Sequence, residues 1–166
     1  MTRLILLVTA FTTIFLSGCA SQFTTAPFIS LAKPDTAANI EKQHSLLIGT
    51  WFGEAPIKEG GYRQWITYLY ADGTEKTIFR TYDKDGDYDE QIEVGEWGIS
   101  GNIHFTIMKG WIIANKLEPV DSTDPYYYDA YTITNLTQTT FEYEAVEYKE
   151  KFIAKKVKDD FQFPEK

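Results

Sequence analysis

The chain of 166 residues holds one cysteine, two histidines and few basic side chains, 16 against 24 acids. Each shortage closes off a class of explanation. A single cysteine, Cys19, forms no internal disulfide, so the fold depends on a buried core even in a compartment that permits disulfides. A formal charge of −8 argues against a nucleic-acid partner, which requires a basic face. His44 and His104 lack His-x-His or His-Glu-x-x-His spacing, so no metal site is expected. There is no Gly-x-Ser-x-Gly elbow, and neither a serine nor a cysteine nucleophile has a setting. We therefore expect no catalytic residue, no cofactor and no enzyme. The N-terminal apolar run, Leu4 to Leu16, is interrupted only by threonines and is too short to span a bilayer.

That run is nonetheless informative. Arg3 precedes it, and it ends Leu16-Ser17-Gly18-Cys19, which resembles the bacterial lipobox. The resemblance implies that residues 1–18 are a lipoprotein signal peptide, that cleavage falls before Cys19, and that acyl chains such as palmitate on Cys19 hold the protein to a lipid bilayer. Several chains at one terminus anchor stably, because each buried methylene contributes about 0.8 kcal/mol. Ala20 and Ser21 follow the cysteine where an inner-membrane retention signal carries Asp, which implies the outer membrane and a domain facing the periplasm. Residues 19–34, with Pro27 and Pro34 and no sustained period, read as the lipidated cysteine and a flexible tether.

Residues 35–166 read as one β-rich domain. Asp35 is placed to cap a helix running to about Leu47, with Ile40 and Leu47 on one face. Beyond it, Tyr, Phe, Trp, Ile, Val and Thr fall in short runs that favour pleated strands. Eight runs are expected: Ile48 to Glu54, Tyr62 to Tyr70, Glu75 to Tyr82, Asp89 to Ile99, Ile103 to Met108, Tyr127 to Thr134, Thr139 to Glu147 and Lys151 to Val157. Tight turns such as Asp72-Gly73 and Asp85-Gly86 join antiparallel neighbours. Two connections are longer, Ala55 to Gly61 and Lys109 to Tyr126, and the tail after Val157 is expected to fray. Eight such strands close into an up-and-down antiparallel barrel whose interior is packed or holds one small ligand.

Three short stretches carry a family resemblance. Gly49-Thr50-Trp51, opening the first strand after the helix, is similar to the Gly-x-Trp motif of lipocalins and smaller bacterial lipocalin-like domains. Gly95-Glu96-Trp97-Gly98-Ile99-Ser100-Gly101-Asn102 resembles a hairpin of the bacterial group, and Asp124-Pro125-Tyr126 lies roughly where lipocalins carry Thr-Asp-Tyr. The chain thus resembles a bacterial lipoprotein with a lipocalin-like domain over about residues 46–157. The resemblance implies structural roles for Gly49, Trp51 and Trp97, with Trp51 plugging one barrel end. Lipocalins cover that tryptophan with an arginine on the last strand, whereas this chain offers Lys155 and Lys156.

Acidic clusters read as surface. From Asp83 to Glu90 the calcium-loop frame fails, because position six is Tyr88 and position twelve is Val94, so a hairpin turn with solvated acids is expected. The pairs Glu142 with Glu144 and Glu90 with Glu96 suit outward strand faces better than glycoside chemistry.

Strand parity places the mouth. In meander order both long connections fall at one end, opposite the helix and Trp51, and barrels that bind open where loops can part. Trp111, Tyr126 and Tyr128 are the expected ligand contacts there. Eight acids (Glu59, Asp83, Asp85, Asp87, Glu118, Asp121, Asp124, Glu150) face six lysines (Lys58, Lys84, Lys109, Lys116, Lys149, Lys151) around this end, which favours neutral or cationic ligands over anionic fatty acids. The expected function is noncovalent binding of a small apolar or amphipathic molecule. The rival is an envelope lipoprotein that binds another protein, as inhibitor or assembly accessory, through its acidic, tyrosine-rich surface.

Overall fold

The computed structural model describes residues 34–58 and 60–164; the leader, Cys19 and all but the last residue of the tether lie outside them. The helix α1 spans Pro34–Leu47 and ends where Ile48 N–H donates to His44 O at 3.2 Å. Nine strands follow: β1 Gly49–Pro56, β2 Tyr62–Leu69, β3 Thr74–Tyr82, β4 Tyr88–Ser100, β5 Ile103–Ile113, β6 Lys116–Pro119, β7 Tyr128–Leu136, β8 Thr140–Ala145 and β9 Lys151–Val157. Every pairing is antiparallel. Consecutive strands pair except β6 with β7, β1 meets β9, and β5 bridges β4 and β7, so the sheet closes on itself. Only β6 stands outside the ring, paired to β5 alone. The result is the eight-strand up-and-down antiparallel barrel with a short N-terminal helix that the strand pattern and the lipocalin resemblance implied.

Two expectations require correction. The connection from Lys109 to Tyr126 is not an open loop, because β5 continues to Ile113 and turns back into β6 through Ala114 and Asn115. Both turn residues have positive φ, 50° and 61°, the backbone that matches a two-residue hairpin to strand twist. A short 3₁₀ turn, Pro125–Tyr127, capped by the Asp124 side chain, then leads into β7. The tail after Val157 is not frayed either. Thr50 Oγ1 donates to Asp159 Oδ1 at 2.7 Å, and Phe161 and Phe163 lie 5.1 and 6.4 Å from the Phe52 ring on the barrel's outer face. The Arg80 guanidinium sits 4.4 Å from the Phe163 ring. Two aromatics spaced by one residue gain more from this apolar outer patch than the tail's charges lose.

The core lies at the helical end. Leu47, Trp51, Leu69, Trp97, Ile133, Phe141 and Ala154 form one buried cluster. Trp51 is 1% exposed, and its indole N–H donates to Leu47 O at 2.7 Å. Trp97 donates in the same way to Tyr70 O at 3.0 Å, and His44 from the helix stacks on its ring at 4.6 Å. Of the two last-strand lysines, Lys156 covers the tryptophan: its ammonium lies 5.0 Å from the Trp51 ring and donates to Leu46 O and Ile48 O at 2.9 and 2.6 Å. Lys155 instead reaches the hydroxyl of Thr140 at 3.2 Å. Gly49 has φ +125°, and a Cβ there would stand 2.8 Å from Lys156 Cε, so the motif's glycine makes room for the lysine that closes this end.

Candidate ligand-binding cavity

Above the core the barrel is hollow. A cavity of about 610 Å³ runs from a floor at Trp51, His104 and Phe141 to a mouth between Ile57, Lys58, Tyr126 and Glu150. Strand alternation decides which side chains enter it. On β2 these are Arg63, Trp65, Thr67 and Leu69, and on β3 Glu75, Thr77, Phe79 and Thr81. Gly53 faces Trp65 across the β1–β2 pair, and a Cβ at Gly53 would overlap the indole ring, so the glycine lets Trp65 lie flat across β1.

One wall is aromatic. The Trp65 and Phe152 rings meet edge to face at 5.8 Å, Phe152 stacks on Tyr143 at 5.3 Å, and Tyr143 meets Tyr131 at 5.2 Å. Burial pushes both tyrosine hydroxyls well above their ordinary acidity range, so they remain neutral donors.

The other wall is acidic. Glu75 on β3, Glu93 on β4 and Asp129 on β7 all line the cavity. Glu75 faces Gly95, and Glu93 faces Thr77, which places the two carboxylates diagonally on neighbouring strands. Burial, then the charges of Glu93 and Asp129, push the Glu75 carboxyl up to about 8. Glu93 is raised by burial and by Asp129, against the pull of Arg63 and of Gln91, whose amide donates to it at 2.7 Å. Burial and Glu147 raise Asp129. Arg63 itself lies over Phe79 at 5.6 Å, its Nε donating to Thr81 Oγ1 at 3.0 Å.

His104 sits at the floor, 5% exposed, with neither ring nitrogen hydrogen-bonded. Burial lowers it to about 4, so the imidazole is neutral at physiological pH. It packs edge to face on Phe141 at 5.5 Å and lies 6.0 Å from Tyr131, its partner across the β5–β7 pair.

Of the three expected contacts, Trp111 and Tyr126 both meet the ring of Tyr127, at 5.9 and 5.3 Å. Tyr126 lines the mouth and is 81% exposed. Trp111 shares a sheet face with its partner Glu93 but meets Tyr127 edge to face at 5.9 Å and does not line the cavity. Tyr128 points its hydroxyl away to Ser122 O at 2.6 Å. The glutamates considered for glycoside chemistry have partners of their own. Glu90 pairs with Arg80 at 2.8 Å, Glu96 with Lys109 at 3.1 Å, and Glu142 accepts from Asn135 at 3.0 Å. Asp83 Oδ1 accepts from the amides of Asp85 and Asp87 at 2.9 and 3.0 Å, the work of a turn residue.

The interior acids were missed for a definite reason. Along β3 both faces are mixed, Glu75-Thr77-Phe79-Thr81 against Lys76-Ile78-Arg80-Tyr82, so alternation alone does not say which set enters the barrel. The cross-strand register does, by pairing Trp65 with Phe79 and Thr67 with Thr77.

Comparison with known proteins adds a distant likeness. The chain matches no family model and no curated protein sequence. Among solved structures it is similar to a lipocalin-like protein from Bacteroides uniformis, with a TM-score of 0.41 and 15% identity over 68% of this chain and 99% of that one. The barrel assignment rests on the strand register given above.

Proposed function

We propose that this protein binds a small amphipathic molecule inside its barrel while lipid on Cys19 holds it to the bacterial outer membrane, facing the periplasm. The observation that carries the binding reading is the cavity of about 610 Å³, open at the loop end and faced by both aromatic and polar side chains. A barrel built only for stability fills its interior, because empty space forfeits dispersion contacts. The space is of the size that small-molecule sites use. The membrane reading rests on the lipobox-like sequence; among the described residues no helix is long and apolar enough to cross a membrane. Binding, without catalysis, is the role we assign.

A neutral fluorescent probe, N-phenyl-1-naphthylamine, tests the binding reading with the full chain in phospholipid nanodiscs and empty nanodiscs as blank. Saturable enhancement that Tyr126→Ala weakens is expected. Fluorescence no greater than the blank overturns it. For the anchor, Cys19→Ser is expected to leave the membrane pellet for the soluble fraction, and equal recovery of both proteins in membranes overturns it.

A further inference from the structure

The carboxylates on the barrel's outer face have partners, Arg80 for Glu90 and Lys109 for Glu96. Those inside are treated differently. Glu75, Glu93 and Asp129 line one wall, and among the described residues the only cationic side chains lining the cavity are Arg63, held over Phe79 and bonded to Thr81, and Lys58 in the first mouth loop. Gathering three acids inside a barrel costs folding free energy, whether they ionise or hold their protons, that nothing in the core returns.

A second, independent observation lies in the same cavity. His104 is 5% exposed, lines the same cavity, and leaves both ring nitrogens without a partner. Buried imidazoles ordinarily engage at least one nitrogen, and a neutral ring offers one donor and one acceptor. Unpartnered ring nitrogens in a cavity whose wall carries Glu75, Glu93 and Asp129 fit a ligand that supplies hydrogen bonds to it.

The opposite wall determines the rest of the ligand. Trp65, Phe152 and Tyr143 form a continuous aromatic surface across the cavity. Such a surface takes an apolar body, and its ring faces attract a nearby cation. A metal ion does not fit the arrangement, since among the described residues no three His, Cys, Asp or Glu side chains are grouped to hold one.

We propose that the ligand is an organic cation: a protonated amine on an apolar or aromatic body, its ammonium drawn to the acidic wall that Glu75, Glu93 and Asp129 line and its body laid against Trp65, Phe152 and Tyr143. This rests on the reading of the barrel as a small-molecule carrier, and it specifies the chemistry of that same cavity. An ammonium donates up to three hydrogen bonds and neutralises the mutual repulsion of the carboxylates.

The test uses three probes of one shape on the full chain in nanodiscs: 1-naphthylmethylamine, 1-naphthalenemethanol and 1-naphthylacetate. The ammonium is expected to bind at least about tenfold more tightly than the alcohol, as charge-assisted hydrogen bonds in a desolvated site imply, and the carboxylate most weakly. Glu75→Gln and Asp129→Asn are each expected to reduce ammonium affinity about fivefold or more while changing alcohol affinity less than twofold. This ranking in the unmodified protein needs no variant to fold. Equal affinity for ammonium and alcohol, or tighter binding of the carboxylate, overturns the organic-cation proposal while leaving the carrier reading intact. Failure of all three probes together with N-phenyl-1-naphthylamine overturns both.

Discussion

The two halves of the barrel use the same strands for opposite ends. In the helical half every large polar atom named above has a partner: Trp51 donates to Leu47 O, Trp97 to Tyr70 O, and Lys156 to two carbonyls. Around the cavity Glu75, Glu93 and Asp129 line a wall, and at its floor neither ring nitrogen of His104 is hydrogen-bonded. One half is packed, its tryptophan and lysine donors paired, while the other is hollow and lined by acids. The difference teaches that stability resides around Trp51, and that the residues above His104 have been relieved of packing duty.

That division can be broken in several ways. The largest effect is expected from Trp51→Ala, which removes the central side chain of the packed half. A loss of about 3–5 kcal/mol is expected, seen as a drop in Tm of about 10 °C or more. A drop of only a degree or two would mean that the core is not where the account puts it. Lys156→Met comes next, leaving the carbonyls of Leu46 and Ile48 unpaired while keeping the aliphatic stem over Trp51. About 1–3 kcal/mol is expected from chemical denaturation. Removing the hollow half's charge should act in the opposite direction.

Glu75→Gln sharpens the comparison through pH. The native Glu75 carboxyl holds its proton up to about 8, against an ordinary 4.5, so the folded state binds more protons in between and stability falls as pH rises through that window. His104, lowered from 6.5 to about 4, has the reverse effect, costing stability as pH falls below 6.5. The two trends oppose each other below pH 6.5 and leave Glu75 dominant above it, with Glu93 and Asp129 raised in the same sense. Tm should therefore decline between pH 6.5 and 8, and Glu75→Gln should flatten the decline and raise Tm at pH 8. An unchanged slope would show that the carboxylate is not held in a dry setting.

Much of the packed half was legible in the sequence. Gly49-Thr50-Trp51 marks the plug, and two-residue turns such as Asp72-Gly73 make strand parity countable, so the closed and open ends followed from order alone. What alternation does not carry is the sidedness of a strand that is polar on both faces. Glu75 and Asp129 enter the barrel because of register with neighbours far away in sequence. Nor does a run of apolar residues announce a hairpin: Ala114-Asn115 lacks the glycine that signals such a turn, although the backbone there is the expected one. The tail's acids and lysines concealed Phe161 and Phe163, whose partner Phe52 lies over a hundred residues earlier.

The most direct test of the division between a packed end and a hollow, ligand-holding end is to fill the hollow. Thr106 lines the cavity, paired across the sheet with Asp129 on one side and Trp97 on the other, and is not itself part of the buried cluster. With Thr106→Trp the indole should occupy space that is otherwise empty, so Tm is expected to stay within a few degrees of the parent protein while N-phenyl-1-naphthylamine binding is lost. Probe binding at the parent affinity in a folded Thr106→Trp protein would contradict the account, because the ligand would then lie somewhere other than inside the barrel.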